Sequence, residues 1–325
     1  MTTEGKALVD RPNRLHRGLR VFVAGHRGLV GSAIWRHLRA SGFSDLIGKS
    51  SGELDLRDRQ STWEFFADER PDVVVLAAAK VGGIMANNSF PAEFLSDNLR
   101  IQVNTLDAAR EHGVNRLIFL GSSCIYPKFA DQPIREDSLL TGQLEPTNDA
   151  YAIAKIAGVL HVQAIRREYG MPYISVMPTN LYGPGDNFDE HSSHVLPGMI
   201  RRFHDAKATG AAVVTNWGSG EPRREFLHVD DLARACLFLL ENYDDPRPIN
   251  VGVGHDVTIK ELANMVADTV GYRGQVRWDT AKPDGTPRKL LDVSRIATLG
   301  WQAEIELRDG LQSTYEWYVE NLRNS

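Results

Sequence analysis

The stretch "LRVFVAGHRGLVGSAI", residues 19–34, decides the fold. Its first seven residues are apolar and β-branched enough for a short buried strand. From Leu29 the apolar residues recur at helical spacing until Gly42 stops the pattern. Between strand and helix, Gly25, Gly28 and Gly31 are spaced G-x-x-G-x-x-G. Glycines at such a turn let the backbone close tightly and leave helix N–H groups facing outward, where a pyrophosphate binds. A tight turn needs glycine by itself, so the triplet gains its weight from its position after a strand and before a helix. The loop of Gly25, His26, Arg27, Gly28, Leu29, Val30 and Gly31 is the first candidate dinucleotide contact.

Outward from this unit the pattern repeats. Apolar runs at 72–79, 115–123 and 173–183 read as further strands, and 60–69, 91–112 and 150–169 as helices between them. Strands that are apolar throughout, separated by helices, indicate a parallel sheet covered on both faces. The expected fold is α/β: a doubly wound parallel sheet of the Rossmann type with a smaller C-terminal substrate domain. After Tyr182 the rhythm breaks into "GPGDNFDEHSSHVLPGM", a polar, Gly- and Pro-rich loop suited to covering a substrate. The boundary is set there: residues 1–182 form the cofactor domain, with 1–18 a loose tail and 229–254 returning to it. Residues 183–325 form the substrate domain.

Composition narrows the functions. The chain has 325 residues, 42% apolar and 24% charged, as in soluble globular proteins, and its net charge of −5 makes no case for nucleic acid or an anionic membrane. The polar N-terminus lacks the apolar stretch of a signal peptide, and no later run is long enough to span a membrane. Two cysteines, Cys124 and Cys236, cannot build a disulfide framework, and no Cys/His cluster has zinc spacing, so no metal is expected. A reducing cytoplasm is the expected location.

An NAD site usually places a carboxylate at the end of the second strand to hold the ribose 2′-hydroxyl. Here Lys49, Ser50 and Ser51 occupy that place, with Glu53 close by, and Arg27 is a second cation within reach. A 2′-phosphate, hence NADP, is the expectation. Further along, Tyr151 and Lys155 lie four apart on a helix and share a face. A nearby ammonium favours a phenolate and makes the tyrosine usable in proton transfer. A pair at this spacing also arises by chance; Ser122, at the end of a strand where open α/β sheets bind ligands, changes that reading.

Ser122, Tyr151 and Lys155 in this order, behind the glycine turn, resemble the extended short-chain dehydrogenase/reductase superfamily, which modifies nucleotide sugars. That resemblance implies proton exchange between the tyrosine and a sugar oxygen while nicotinamide exchanges hydride with its carbon. Related 4,6-dehydratases carry acidic residues in this strand-end loop, where Ser123 and Cys124 stand here. Simple 4-epimerases have no use for the thiol.

The runs "AGHRGLVGSAI", "LAAAKVGGIMANN", "LGSSCIYPK", "EPTNDAYAIAKIAG", "VMPTNLYGP", "REFLHVDD" and "KPDGTPRKLLDV" together resemble the GDP-L-fucose synthase family. Its members are bifunctional 3,5-epimerases and 4-reductases acting on GDP-4-keto-6-deoxy-D-mannose with NADPH. The C4 ketone acidifies the hydrogens at C3 and C5, and inversion needs a base on one face and an acid on the other. The resemblance puts Cys124 as the base and His194 as the acid. A thiol near pKa 8.5 and a histidine near 6.5 suit those tasks. It further places Ala78, Leu120, Gly121, Pro178, Thr179, Asn180, Leu181 and His194 against the cofactor, with Lys80 near Ala78. Arg202, Trp217, Arg224 and Asp284 fall on the GDP side, with Arg201 and Arg223 as neighbours able to share those roles. A homodimer through the helices at 91–112 and 150–169 is implied too. Two other readings stay open: another nucleotide-sugar 4-epimerase or 4-reductase, and a non-catalytic NADP-binding protein on the same fold.

Overall fold

The computed structural model describes residues 15–190, 192–282 and 284–323. In chain order the first five strands are β1 (Val21–Ala24), β2 (Leu46–Ile47), β3 (Val73–Leu76), β4 (Arg116–Leu120) and β5 (Tyr173–Pro178). Then come β6 (Asn180–Tyr182), β7 (Val213–Trp217), β8 (Arg223–Arg224), β9 (Phe226–His228) and β10 (Ile249–Val251). The last are β11 (Val257–Thr258), β12 (Gln275–Asp279) and β13 (Arg288–Lys289). The helices are α1 (Leu29–Ala40), α2 (Arg59–Glu69), α3 (Ile84–Ser89), α4 (Pro91–Glu111) and α5 (Asp149–Tyr169). They continue with α6 (Val195–Thr209), α7 (Val229–Asn242), α8 (Ile259–Val270), α9 (Ser294–Thr298) and α10 (Leu307–Arg323).

The central sheet runs β10-β5-β4-β3-β1-β2, and every neighbouring pair in it is parallel. Alternate residues of its strands feed two cores. Val21, Val23, Val73, Val75, Ile118, Ile174 and Val176 face α1 and α7, while Phe22, Ala24, Val74, Leu76, Leu117, Phe119 and Met177 face α2, α4 and α5. Each fully buried Val or Phe is worth roughly 1.5–3 kcal/mol relative to exposure. This two-sided burial explains why the strands are apolar throughout. Strand order reverses between β1 and β3, and the crevice beyond the carboxyl ends of these strands is where such sheets take ligands.

A second region has its own core, in which Leu196, Ile200 and Phe203 of α6 pack against Leu262 and Val266 of α8 and Leu311 of α10. Its small sheets join β7 to β12 and β8 to β11 and β13. The pairing β8–β13 is parallel and sets Arg224 opposite Lys289.

Several expectations change at the level of particular residues. The apolar run 173–183 is two strands: β5 stays in the central sheet, and the chain leaves it after Pro178 so that β6 pairs with β9. The strand expected at 115–123 ends at Leu120, and Ser122 instead starts a short 3-10 turn over Ser123–Ile125. Of the loose tail expected at 1–18, residues 1–14 lie outside the described residues. Leu15 and Arg17, in contrast, are tied to the Glu241 carboxylate at 3.2 and 2.6 Å. Residues 229–251 supply α7 and β10 to the central layers. So does a segment beyond the division at Tyr182: Leu291, Ile296 and Trp301 are buried in the two central cores, because α9 packs on β10.

Candidate active site

The carboxyl edge of β1 holds the glycine turn. Gly25 has φ +84°, and a Cβ on it would meet the Ala78 backbone at 2.9 Å. A Cβ on Gly31 would stand 2.1 Å from the Gly25 carbonyl oxygen, so the first turn of α1 can seat against the strand end only with glycine there. Gly28 caps α1 without a side chain, leaving the N–H groups of the first turn unobstructed. This cradle of bare backbone fits a pyrophosphate. Beside it, His26 tucks beneath Gly48 and packs on Trp35, its ring centroid 5.5 Å away, while Leu29 and Val30 line the inner wall. Burial, and then the charge of Arg27, lower the His26 pKa and keep the ring neutral.

The cations expected to meet a 2′-phosphate already have carboxylate neighbours. Arg27, its side chain 72% exposed, lies 4.0 Å from Glu53, and Lys49 lies 3.9 Å from Glu69. Glu53 also accepts hydrogen bonds from the Ser50 side chain and backbone. Exposed pairs at such distances are weak, and both cations can turn to a stronger anion.

Two strands along, the ends of β4 and β5 bring together the remaining residues expected on the nicotinamide side. The Gly121 N–H donates to the Val176 carbonyl at 2.8 Å, and a Cβ on Gly121 would collide with Met177. Beyond Pro178, the Thr179 N–H donates to the Val251 carbonyl at 3.0 Å, and the Asn180 amide donates to the Glu225 carbonyl at 2.8 Å. Leu181 packs inward beside them.

The catalytic candidates converge beside that edge. Ser122 Oγ accepts the Cys124 N–H at 3.2 Å and shares a hydrogen bond with the Tyr151 phenol. Lys155 is 4% exposed; its ammonium donates to the Leu120 carbonyl at 2.8 Å and lies 5.8 Å from the Tyr151 ring centroid. Burial pushes the lysine down to about 8. It also raises the Tyr151 phenol, with the nearby Cys124 adding to the rise and Ser122 opposing it. The expected phenolate is thus replaced by a protonated phenol. Desolvation outweighs the ammonium, which is committed to a backbone carbonyl. A protonated phenol is the form needed to give a proton to a sugar oxygen.

Cys124 is half-buried, with Lys289 Nζ 3.5 Å and Asn148 Nδ2 3.4 Å from its Sγ. Burial alone raises a thiol; here the Lys289 charge and the bonds with Ser122, Lys289 and Asn148 prevail, and the pKa falls below its ordinary value. His194 stands at the N-cap of α6. The residue is exposed, yet desolvation by the surrounding protein, followed by the Lys289 charge, lowers its pKa. Imidazolium is therefore less available here than on an ordinary histidine, where the sequence alone suggested a ready donor. One lysine bears on both residues of the expected acid–base pair.

Comparisons with known proteins give the chain its family. Residues 21–252 match the model of the "NAD dependent epimerase/dehydratase family". The chain belongs to this family. Among its relatives it is 58% identical to "GDP-L-fucose synthase 1" of Arabidopsis thaliana over 308 residues, covering 95% of each chain. With the "GDP-L-fucose synthase" of Escherichia coli (strain K12) it shares 55% over 311 residues, 93% of this chain and 97% of the relative. Among solved structures, a "gdp-l-fucose synthetase from Naegleria fowleri bound to NADP" superposes with a TM-score of 0.90 at 29% identity. That match covers 98% of this chain and 99% of the other.

On the far side of the cleft this family member sets out the GDP-side candidates. Arg202 Nη1 donates to Asn216 at 2.6 Å, and the guanidinium of Arg224 donates to the Arg223 carbonyl at 2.8 Å. Burial lowers the pKa of both arginines. Arg223 is drawn off by Asp256 at 2.7 Å and Arg201 by Asp205 at 3.5 Å, which leaves Arg202 and Arg224 as the better anion ligands. Trp217 is 61% exposed, a flat surface with Lys282 Nζ 5.6 Å from its ring centroid. Asp284 accepts from the Ser219 N–H at 2.9 Å and the Ser219 hydroxyl at 2.7 Å, so its carboxylate pins the turn that follows Trp217. Ala78 abuts the glycine turn, whereas the Lys80 ammonium is occupied by Glu93 and Asp97.

Sequence reasoning missed Lys289 and Asn148 as partners of the thiol. Asn148 carries a signal in hindsight: it is the N-cap of α5, yet its side chain makes no capping bond. A residue type favoured for capping has been diverted to sulfur. Lys289 had none beyond its presence in "KPDGTPRKLLDV".

Proposed function

We propose that the chain converts GDP-4-keto-6-deoxy-D-mannose to GDP-L-fucose, inverting C3 and C5 and then reducing C4 with NADPH. The two relatives quoted above carry that product in their names, at 58% and 55% identity. The C4 ketone makes the protons at both neighbouring carbons removable. Cys124 as thiolate takes a proton from one face, and His194 returns one to the other. The glycine turn of α1 would hold NADPH, with Lys49 and Arg27 toward its 2′-phosphate, and the bound cofactor would supply the hydride for C4. Tyr151 gives its proton to the C4 oxygen, Ser122 holds that oxygen, and Lys155 steadies the phenol and the nicotinamide ribose. Arg202 and Arg224 hold the diphosphate, Trp217 stacks with the base, and Asp284 keeps the loop behind Trp217 in place. In this reading residues 1–182 and 229–254 serve the cofactor, and the rest of 183–325 the GDP-sugar.

The observation that supports this over a plain 4-reductase is the thiol of Cys124 beside Ser122 and Tyr151, with its pKa held down. A reductase has no task for such a group. The test is NADPH oxidation with GDP-4-keto-6-deoxy-D-mannose in deuterated water. Deuterium at C3 and C5 of an L-configured product supports the proposal; oxidation to a D-configured product without deuterium reduces the function to 4-reduction.

Two further parts belong to the same proposal. Val103 on α4 and Ile153 and Leu160 on α5 are apolar yet 40–46% exposed, on two helices packed together, which suits a homodimer. A dilution series by sedimentation tests it, a monomer at all concentrations being the contrary result. A base that must stay a free thiol also favours a reducing compartment such as the cytoplasm. Among the described residues, no helix is long and apolar enough to cross a membrane.

A further inference from the structure

Cys124 sits where two parts of the chain meet. Ser122 belongs to the turn after β4 and Asn148 to the start of α5, whereas Lys289 arrives on β13, 165 residues further along. We infer that Lys289 is a positioning residue for the epimerisation: its ammonium, with the Asn148 amide, holds Cys124 as the thiolate that removes the C3 and C5 protons. This rests on the function proposed above, since a thiolate base is needed only if C3 and C5 are inverted.

Four observations carry it. Lys289 Nζ at 3.5 Å and Asn148 Nδ2 at 3.4 Å both bring donors to Sγ, an arrangement that suits sulfur as an acceptor anion. Asn148 forgoes the capping bond its position invites, and its Oδ1 is buried without a partner. No ion pair ties the Lys289 ammonium elsewhere among the described residues, in contrast with Lys80, Lys128, Arg223 and Arg288, each of which has a carboxylate. Finally, Tyr151 from α5, a titratable neighbour of the thiol, is neutral at pH 7, and His194 at the start of α6 is the other titratable group on which the Lys289 charge is seen to act. A cation beside a sulfur with no competing anion stabilises the thiolate.

The fold adds a consequence. Lys289 is the strand partner of Arg224, so the residue that grips the diphosphate and the residue that charges the thiol share one ladder. Seating of the GDP-sugar and readiness of its base are set by the same small sheet.

The test uses the full chain without substrate. Alkylation by iodoacetamide is followed from about pH 6 to about pH 10, with Cys236, fully buried, as an unreactive internal control. The unmodified protein should show a midpoint below that of a free thiol. Lys289→Met should move it up by about one pH unit, a roughly tenfold loss of reactivity at neutrality, and Lys289→Arg should restore most of it. Deuterium exchange at C3 and C5 should fall in parallel. An ordinary thiol midpoint in the unmodified protein overturns the inference even if Lys289→Met fails to fold. So does an unchanged midpoint in Lys289→Met accompanied by a raised KM for the keto sugar, which would make Lys289 a substrate ligand. If the unmodified protein exchanges no deuterium at all, the proposed function fails, while alkylation still decides what Lys289 does to the thiol.

Discussion

The two cysteines are the same side chain in opposite surroundings. Cys236, on α7, has no exposed surface and packs among Leu232, Leu239 and Leu240; burial alone pushes its thiol up. Cys124 is also crowded, yet its thiol is pushed down, because Lys289, Asn148 and Ser122 surround it with donors and positive charge. Burial raises a thiol by removing water from its anion, and a few well-placed donors reverse the sign. One cysteine is thereby an apolar core residue, and the other has the surroundings that suit a base.

The contrast breaks most severely if Cys124→Ser still exchanges. A serine hydroxyl ionises far less readily, so exchange at C3 and C5 should fall by about 10²–10⁴, measured by NMR in deuterated water. Equal exchange would remove the thiol from the chemistry. Tyr151→Phe should do the converse, lowering C4 reduction by a comparable 10²–10⁴ in the 340 nm assay while exchange persists. Loss of both activities together would mean that the two centres are not separable as drawn. A smaller effect comes from pH. Lys155 is charged below its folded value of about 8 and loses its proton above it. Reduction, as kcat/KM, should therefore decline above about pH 8, by up to tenfold per unit, with a shallower response in exchange. The smallest functional effect belongs to Cys236→Ser. It should leave both activities intact and cost roughly 1–3 kcal/mol of stability by burying a hydroxyl among leucines, read from chemical denaturation. A loss of activity at unchanged stability would give Cys236 a role the structure does not.

Much of the site was readable one segment at a time. Gly25, Gly28 and Gly31 announce a strand-to-helix turn by their spacing, and at Gly25 and Gly31 close backbone approach excludes a Cβ. The break of 173–183 into β5 and β6 was not readable, because it is decided by which strand each half meets, β4 for the first and β9 for the second. Helix α3 was likewise missed: it spans six residues, Ile84–Ser89, too few to display a period. The expected histidine donor shifted for a different reason. A side-chain type carries an ordinary pKa, and the crowding around His194 and the charge of Lys289 alter it.

By itself, then, the chain determined an α/β parallel sheet and a dinucleotide turn, and offered Ser122, Tyr151 and Lys155 as candidate reacting groups, with Cys124 and His194 added by family resemblance. Periodicity, glycine spacing and side-chain type are properties of short stretches. Tertiary structure alone decided their charge states: a protonated Tyr151, a lysine lowered to about 8, and a thiol held toward its anion. The reason is that these depend on desolvation and on a charge 3.5 Å away in space but 165 residues away in sequence, and no local pattern encodes that distance.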